Sequence, residues 1–289
     1  MQATVSASAY EVRQFAGSGG LVLTADVGGD PAAPTIVMLH GRGQTRPSWA
    51  EAMRSLVEEG YHVVNYDARG HGDSGWDPSA DYSMEARAAD LEAVLGVLPG
   101  PIALVGASMG GMTSFHLIGR KAPPAVKALV MVDIVPRSSA RGVEKIRNFL
   151  NKGREGFASL EEAADAVAAY NPARPRPADV SGLGKNLRRR EDGRYYWHWD
   201  PNWPDTPGRS DDVISEMLAM AGDVTIPSLL VRGLRSELVE EEAVAEFRAH
   251  FPALEVYDVA GASHMVAGDR NDAFNEGVIS FLRRRYPVR

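Results

Sequence analysis

The sequence predicts an α/β fold, a mostly parallel sheet with an antiparallel hairpin at its N-terminal end and helices on both faces. Three observations carry this. Short apolar-rich runs recur at 35–39, 61–66, 102–106, 126–134, 228–231 and 254–259, the pattern of strands covered on both sides. Segments of helical spacing separate them at 48–59, 83–98, 109–121 and 240–251, and helical crossovers imply parallel neighbours. Gly-rich turns join strand to helix at 40–43 and 106–111.

Taken in order, 10–15 and 21–27 flank Ser18-Gly19-Gly20 and read as a β-hairpin. Strand 35–39 runs into His40-Gly41-Arg42-Gly43, and the following helix sets Trp49, Met53 and Leu56 on one face. Strand and helix then alternate through 126–134. After Val135-Pro136 the alternation stops until residue 228. The intervening chain holds helix-like segments at 143–150 and 160–170 and the aromatic group Tyr195, Tyr196, Trp197, Trp199 and Trp203. The expected division is a core of 1–136 and 223–289 with an insertion of 137–222 laid over one end of the sheet. A last helix, 272–286, closes the chain.

Composition narrows the function. In 289 residues, 44% hydrophobic and 24% charged side chains are enough for a sizeable core and exclude a disordered or fibrous chain. The net charge of −7 and the lone basic run Arg188 to Arg190 argue against a nucleic-acid partner. No stretch approaches a membrane span, and residues 1–10 are too polar for a signal peptide. With no cysteine, disulfides, thiolate metal sites and cysteine nucleophiles drop out, which fits a cytoplasmic protein. No His/Asp cluster has metal-ligand spacing, so neither metal nor cofactor is expected. Oligomeric state is not readable.

Gly106-Ala107-Ser108-Met109-Gly110-Gly111 lies where a strand passes into a helix. A Gly-x-Ser-x-Gly turn there strains the serine, and small residues two positions either side let strand and helix pack closely. The hydroxyl then stands at a helix N-terminus, where free N–H groups favour a developing oxyanion.

From these residues the chain resembles the α/β-hydrolase family over essentially its whole length, as a serine esterase- or lactonase-like member with a lid insertion. His40-Gly41-Arg42-Gly43 is similar to that family's HGxG oxyanion loop, so the resemblance implies that the backbone N–H groups of Arg42 and Met109 form the oxyanion hole. Tyr66-Asp67-Ala68-Arg69-Gly70-His71-Gly72-Asp73-Ser74 also resembles a family segment and reads as structural, with Asp67, Arg69 and His71 holding a loop.

A serine needs a base. Among seven histidines, His264 alone follows the last strand and precedes the last helix, where the family carries its catalytic histidine. The acid departs from the commonest pattern. The position three residues past Gly233 is Ser236, and Glu237 comes one residue late. Asp133, 25 residues after Ser108 at the end of a strand, is the other candidate, because a branch of the superfamily carries its acid there. Asp133 is the favoured acid and Glu237 the alternative; either serves if its carboxylate reaches His264.

In such folds the insertion forms a lid over the substrate. Tyr196, Trp197 and Trp199 are the pocket candidates and would suit a small apolar or aromatic substrate, although aromatics are also what a small lid needs for its own core. The function expected is hydrolysis of carboxylic esters or lactones. Carbon-carbon bond hydrolysis and perhydrolysis on the same site are alternatives, and a non-catalytic ligand-binding member of the fold is a third.

Overall fold

The computed structural model describes residues 10–172, 176, 178–205, 208–269 and 271–288, so the polar N-terminal segment lies outside the described residues. Strands β1 (Tyr10–Ala16), β2 (Val22–Gly28), β3 (Thr35–Leu39), β4 (His62–Tyr66), β5 (Ile102–Ala107), β6 (Val126–Val132), β9 (Ser228–Gly233) and β10 (Leu254–Val259) form one sheet. Its order is β1-β2-β4-β3-β5-β6-β9-β10. The pairs β1/β2 and β2/β4 are antiparallel and the remainder parallel.

Period-two alternation feeds two apolar layers. Ile36 and Met38 point to the face where α1 (Ala50–Glu58) and α8 (Asn271–Arg285) bring Met53, Phe274 and Phe281. Val37 and Leu39 point to the other, against Leu91, Phe115 and Phe247 from α2 (Met84–Val97), α3 (Met109–Lys121) and α7 (Glu241–His250). Every residue of β3 and β4 is therefore buried. Each large side chain so covered contributes about 1.5–3 kcal/mol. Among the described residues no helix is long and apolar enough to cross a membrane.

Between β6 and β9 the chain forms α4 (Ala140–Lys152), α5 (Leu160–Tyr170), the two-stranded β7 (Leu187–Arg189) and β8 (Tyr195–Trp197), and α6 (Asp211–Ala221). The first four share a small apolar centre of Leu150, Phe157, Ala163, Leu187, Trp197 and Trp199. By contrast, Ile214, Met217 and Leu218 of α6 join the layer of Phe115 and Phe247. The end of the expected insertion is thus packed as a core helix, and the division at 222 falls after it rather than before it.

Candidate active site

Ser108 joins β5 to α3 at φ 47°, ψ −108°. Its N–H donates to Val132 O (3.0 Å) and its carbonyl accepts from Met112 N–H (3.0 Å), so the helix begins at the serine itself. The flanking glycines have a steric reason. A Cβ on Gly106 would stand 2.5 Å from the Gly110 backbone, and one on Gly110 would stand 2.3 Å from Leu39 O. Met109 is the first residue of α3, so its N–H has no acceptor inside the helix.

The loop after β3 comes up beside the serine: a Cβ on Gly41 would lie 3.5 Å from Ser108 Cβ. Within the loop, Gly41 N–H donates to Gln44 Oε1 (3.0 Å), Gly43 N–H to His71 Nε2 (3.1 Å) and Gln44 N–H to Gly41 O (3.1 Å). Gln44 reaches on to Met265 Sδ (3.6 Å), which ties the loop to the segment carrying His264.

His264 Nδ1 lies 2.8 Å from Asp133 Oδ2. A carboxylate can only accept here, so Nδ1 carries the proton and Nε2 is left as the acceptor. Asp133 is fully buried at φ 49°, a conformation that aspartate tolerates better than most residues. Its Oδ1 accepts from Gly233 N–H (3.0 Å) and its Oδ2 also accepts from Ser236 Oγ (2.5 Å). Glycine at 233 lets the His264 loop close in, because a Cβ there would meet Ser263 O at 2.4 Å. No hydrogen bond joins Ser108 to His264 in this structure, a contact that commonly tightens only with substrate in place.

Glu237 goes elsewhere. Its carboxylate bonds Lys145 Nζ (2.6 Å) and Arg141 (3.4 Å) on α4, and the Lys145 ammonium holds its pKa below the usual carboxylate range. The one-residue offset puts Ser236, not Glu237, beside His264's carboxylate partner.

The aromatic pocket candidates divide. Trp197 is buried in the insertion's own centre, stacked with Trp199 (5.5 Å between rings) and edge-on to Phe157 (5.3 Å). Tyr196 donates to Asp192 (2.6 Å) on the outside, with Arg190 over its ring. Neither touches Ser108, His264 or the 40–43 loop among the described contacts; the insertion needs both for its own packing. Trp199 does reach the loop, since a Cβ on Gly43 would meet it at 3.0 Å. Trp203, part of the same aromatic group but not one of the three pocket candidates, stands against His71 (4.8 Å) and Tyr82 (4.2 Å).

Behind the loop lies a rigid polar frame. Buried Asp67 accepts from Arg46 at both backbone (2.7 Å) and side chain, and Arg69 is held by Asp90 through two bonds (2.6 and 2.8 Å). His40 donates from Nδ1 to Gly41 O (2.8 Å) and accepts Ala68 N–H at Nε2 (2.9 Å). His71 donates from Nδ1 to Arg69 O (3.1 Å) and accepts Gly43 N–H. Both rings are neutral, and burial pushes both pKa values down, His71 well below its ordinary value of 6.5. The unfolded chain takes up these protons near pH 6.5 while the folded chain does not. Their stabilisation is therefore complete above that pH and lost below it, at up to about 1.4 kcal/mol per pH unit each. Urea unfolding at pH 7.5, 6.5 and 5.5 is expected to give a steadily falling free energy, above the range where carboxylates titrate. A constant value would overturn the neutral assignment.

Among the described residues, no three His, Asp or Glu side chains gather as a metal site.

The alpha/beta hydrolase fold family matches residues 34–270. An esterase of Mycobacterium tuberculosis, Rv0045c, is 31% identical over 265 residues, covering 88% of this chain and 84% of that protein. The mouse (Mus musculus) sn-1-specific diacylglycerol lipase ABHD11 is 30% identical over 268 residues, covering 88% of this chain and 82% of its own. The crystal structure of an E-2-(acetamidomethylene)succinate hydrolase superposes with a TM-score of 0.82 over 94% of this chain and 99% of that one; at 24% identity this is a likeness of fold.

Proposed function

The chain belongs to the alpha/beta hydrolase fold family and is a hydrolase of ester bonds, and from that premise we propose that it cleaves carboxylic esters or lactones of small molecules through an acyl-enzyme on Ser108. His264 Nε2 takes the Ser108 proton as Oγ attacks the acyl carbon, and Asp133 steadies the imidazolium. The amides of Arg42 and Met109 receive the oxyanion. His264 then protonates the departing alcohol, and water, deprotonated by the same histidine, releases the acid and restores the serine.

The observation that supports this reading best is the 2.8 Å pair of His264 and Asp133, formed at the same carboxyl end of the parallel strands as the strained Ser108. Ser108, Asp133 and His264 follow β5, β6 and β10, whose ends lie in sheet order β5-β6-β9-β10. The test is hydrolysis of p-nitrophenyl esters from acetyl to decanoyl, with small lactones beside them, and intact mass of the quenched enzyme. A burst of p-nitrophenol with a mass increase of one acyl group on Ser108 is expected. Turnover without any covalent adduct under single-turnover conditions would overturn the acyl-enzyme route.

A further inference from the structure

The aromatic side chains expected to shape the substrate are largely committed to the insertion's own packing, whereas arginines are fastened to the segments that flank Ser108. Arg42, in the loop beside Ser108, donates to Pro204 O (3.3 Å) and stands 5.5 Å from the Trp203 ring. Arg87 of α2 stands 6.0 Å from the same ring. Its Nε donates to Thr113 Oγ1 (3.3 Å), which in turn bonds Met109 O (2.9 Å) beside the nucleophile. Arg209 donates to Pro136 O (3.2 Å), three residues past Asp133. Arg154 donates to Trp203 O (3.0 Å) from the insertion side. Thus the cations are fastened to the segments that carry the oxyanion loop, the serine and the acid.

Two further facts make this grouping unusual. The protein carries 38 acidic residues against 31 basic ones, and its most buried arginines are paired: Arg46 with Asp26, Asp67 and Asp73, Arg69 with Asp90, and Arg232 with Asp258 and Glu241. Arg87 and Arg209 enter no ion pair among the described residues: Arg87 Nη1 and Nη2 bond Tyr82 O and Met84 Sδ, and Arg209 Nη1 bonds Pro136 O. All three residues are also half-buried. Desolvation lowers each pKa to about 10, with Arg209 and Arg42 adding repulsion at Arg87. Holding like charges together there opposes stability, and an incoming anion would relieve it.

Resting on the ester-hydrolase reading, we propose that Arg87 and Arg209, with Arg42, form an anion subsite beside Ser108, and that the substrate is an ester bearing a free carboxylate, a half-ester of a dicarboxylic acid. Planar guanidiniums suit a carboxylate in paired hydrogen bonds, and Trp203 provides the apolar wall along the intervening chain. Arg87 and Arg209 are then specificity-determining residues, and the chemistry at Ser108 is unchanged.

The test pairs monoethyl adipate with ethyl hexanoate, esters of equal acyl chain length, followed by pH-stat. The wild type is expected to favour the half-ester by tenfold or more in kcat/KM. Arg87→Gln and Arg209→Gln should each cut that ratio by about tenfold, and Arg87→Lys and Arg209→Lys should restore part of it. Equal or better use of ethyl hexanoate by the wild type, or a ratio unmoved in both glutamine variants, overturns the proposal. Binding is read separately from turnover: adipate should raise the melting temperature of the Ser108→Ala protein and fail to do so once Arg87→Gln and Arg209→Gln are added. A rise with neither ester hydrolysed supports the anion subsite and rejects the ester reading. No rise in the Ser108→Ala protein rejects the subsite whatever the ester results.

Discussion

Replacing Ser108 with alanine lowers kcat for an activated ester by about 10⁴- to 10⁶-fold, the range expected when the nucleophile of a serine hydrolase is removed and only binding and oxyanion stabilisation remain. The structure makes this a clean experiment. Alanine keeps the Cβ that already stands at φ 47°, and the two backbone bonds of residue 108, to Val132 O and from Met112 N–H, do not involve the hydroxyl. The variant should unfold at the same urea concentration as the wild type to within error. Activity within tenfold of the wild type, in a protein of unchanged stability, would mean that a different group attacks the substrate. A loss of activity together with a shifted unfolding midpoint would instead indict the elbow's packing, so both quantities must be measured on the same preparation.

How much of this was legible depends on how local each signal is. β3 and β5 could be read because burial on both faces forces consecutive apolar residues, and the elbow because its glycines answer contacts only a few residues away. His264 could be placed by order along the chain. The acid could not, since the choice between Asp133 and Glu237 turns on the path of one loop: β6 stops at Val132, residue 133 takes a positive φ, and Ser236 fills the position next to it. Residue type alone does not announce that turn. The aromatic cluster failed for a related reason, because composition cannot separate a tryptophan facing its own module from one facing a cleft. Helix α6 and the β7/β8 hairpin lie where the regular alternation had ended. The arginine group is the least legible of all: Arg42 and Arg87 meet over Trp203, and Arg209 reaches Pro136, only through the tertiary fold.

The second large effect separates the two carboxylates. Asp133→Asn is expected to lower kcat by about 10⁴-fold, because an amide can present N–H to His264 Nδ1 and so favour the wrong tautomer, and it carries no charge to stabilise the imidazolium. Asparagine adopts positive φ readily and is nearly isosteric, so the loop after β6 should keep its course. Glu237→Gln removes only the outer bonds to Lys145 and Arg141, surface pairs of a kind worth about 0–1 kcal/mol, and should leave kcat within about twofold. The pair of variants is informative in both directions. If Glu237→Gln is crippled and Asp133→Asn is not, the loop after β9 must rearrange on substrate binding by enough to swing residue 237 from α4 to His264. That would break the Lys145 and Arg141 contacts and displace Ser236 from Asp133. If both variants retain activity, His264 works without a carboxylate partner, and the buried Asp133 serves the fold through Gly233 N–H and Ser236 alone; its replacement would then register in the unfolding midpoint rather than in kcat.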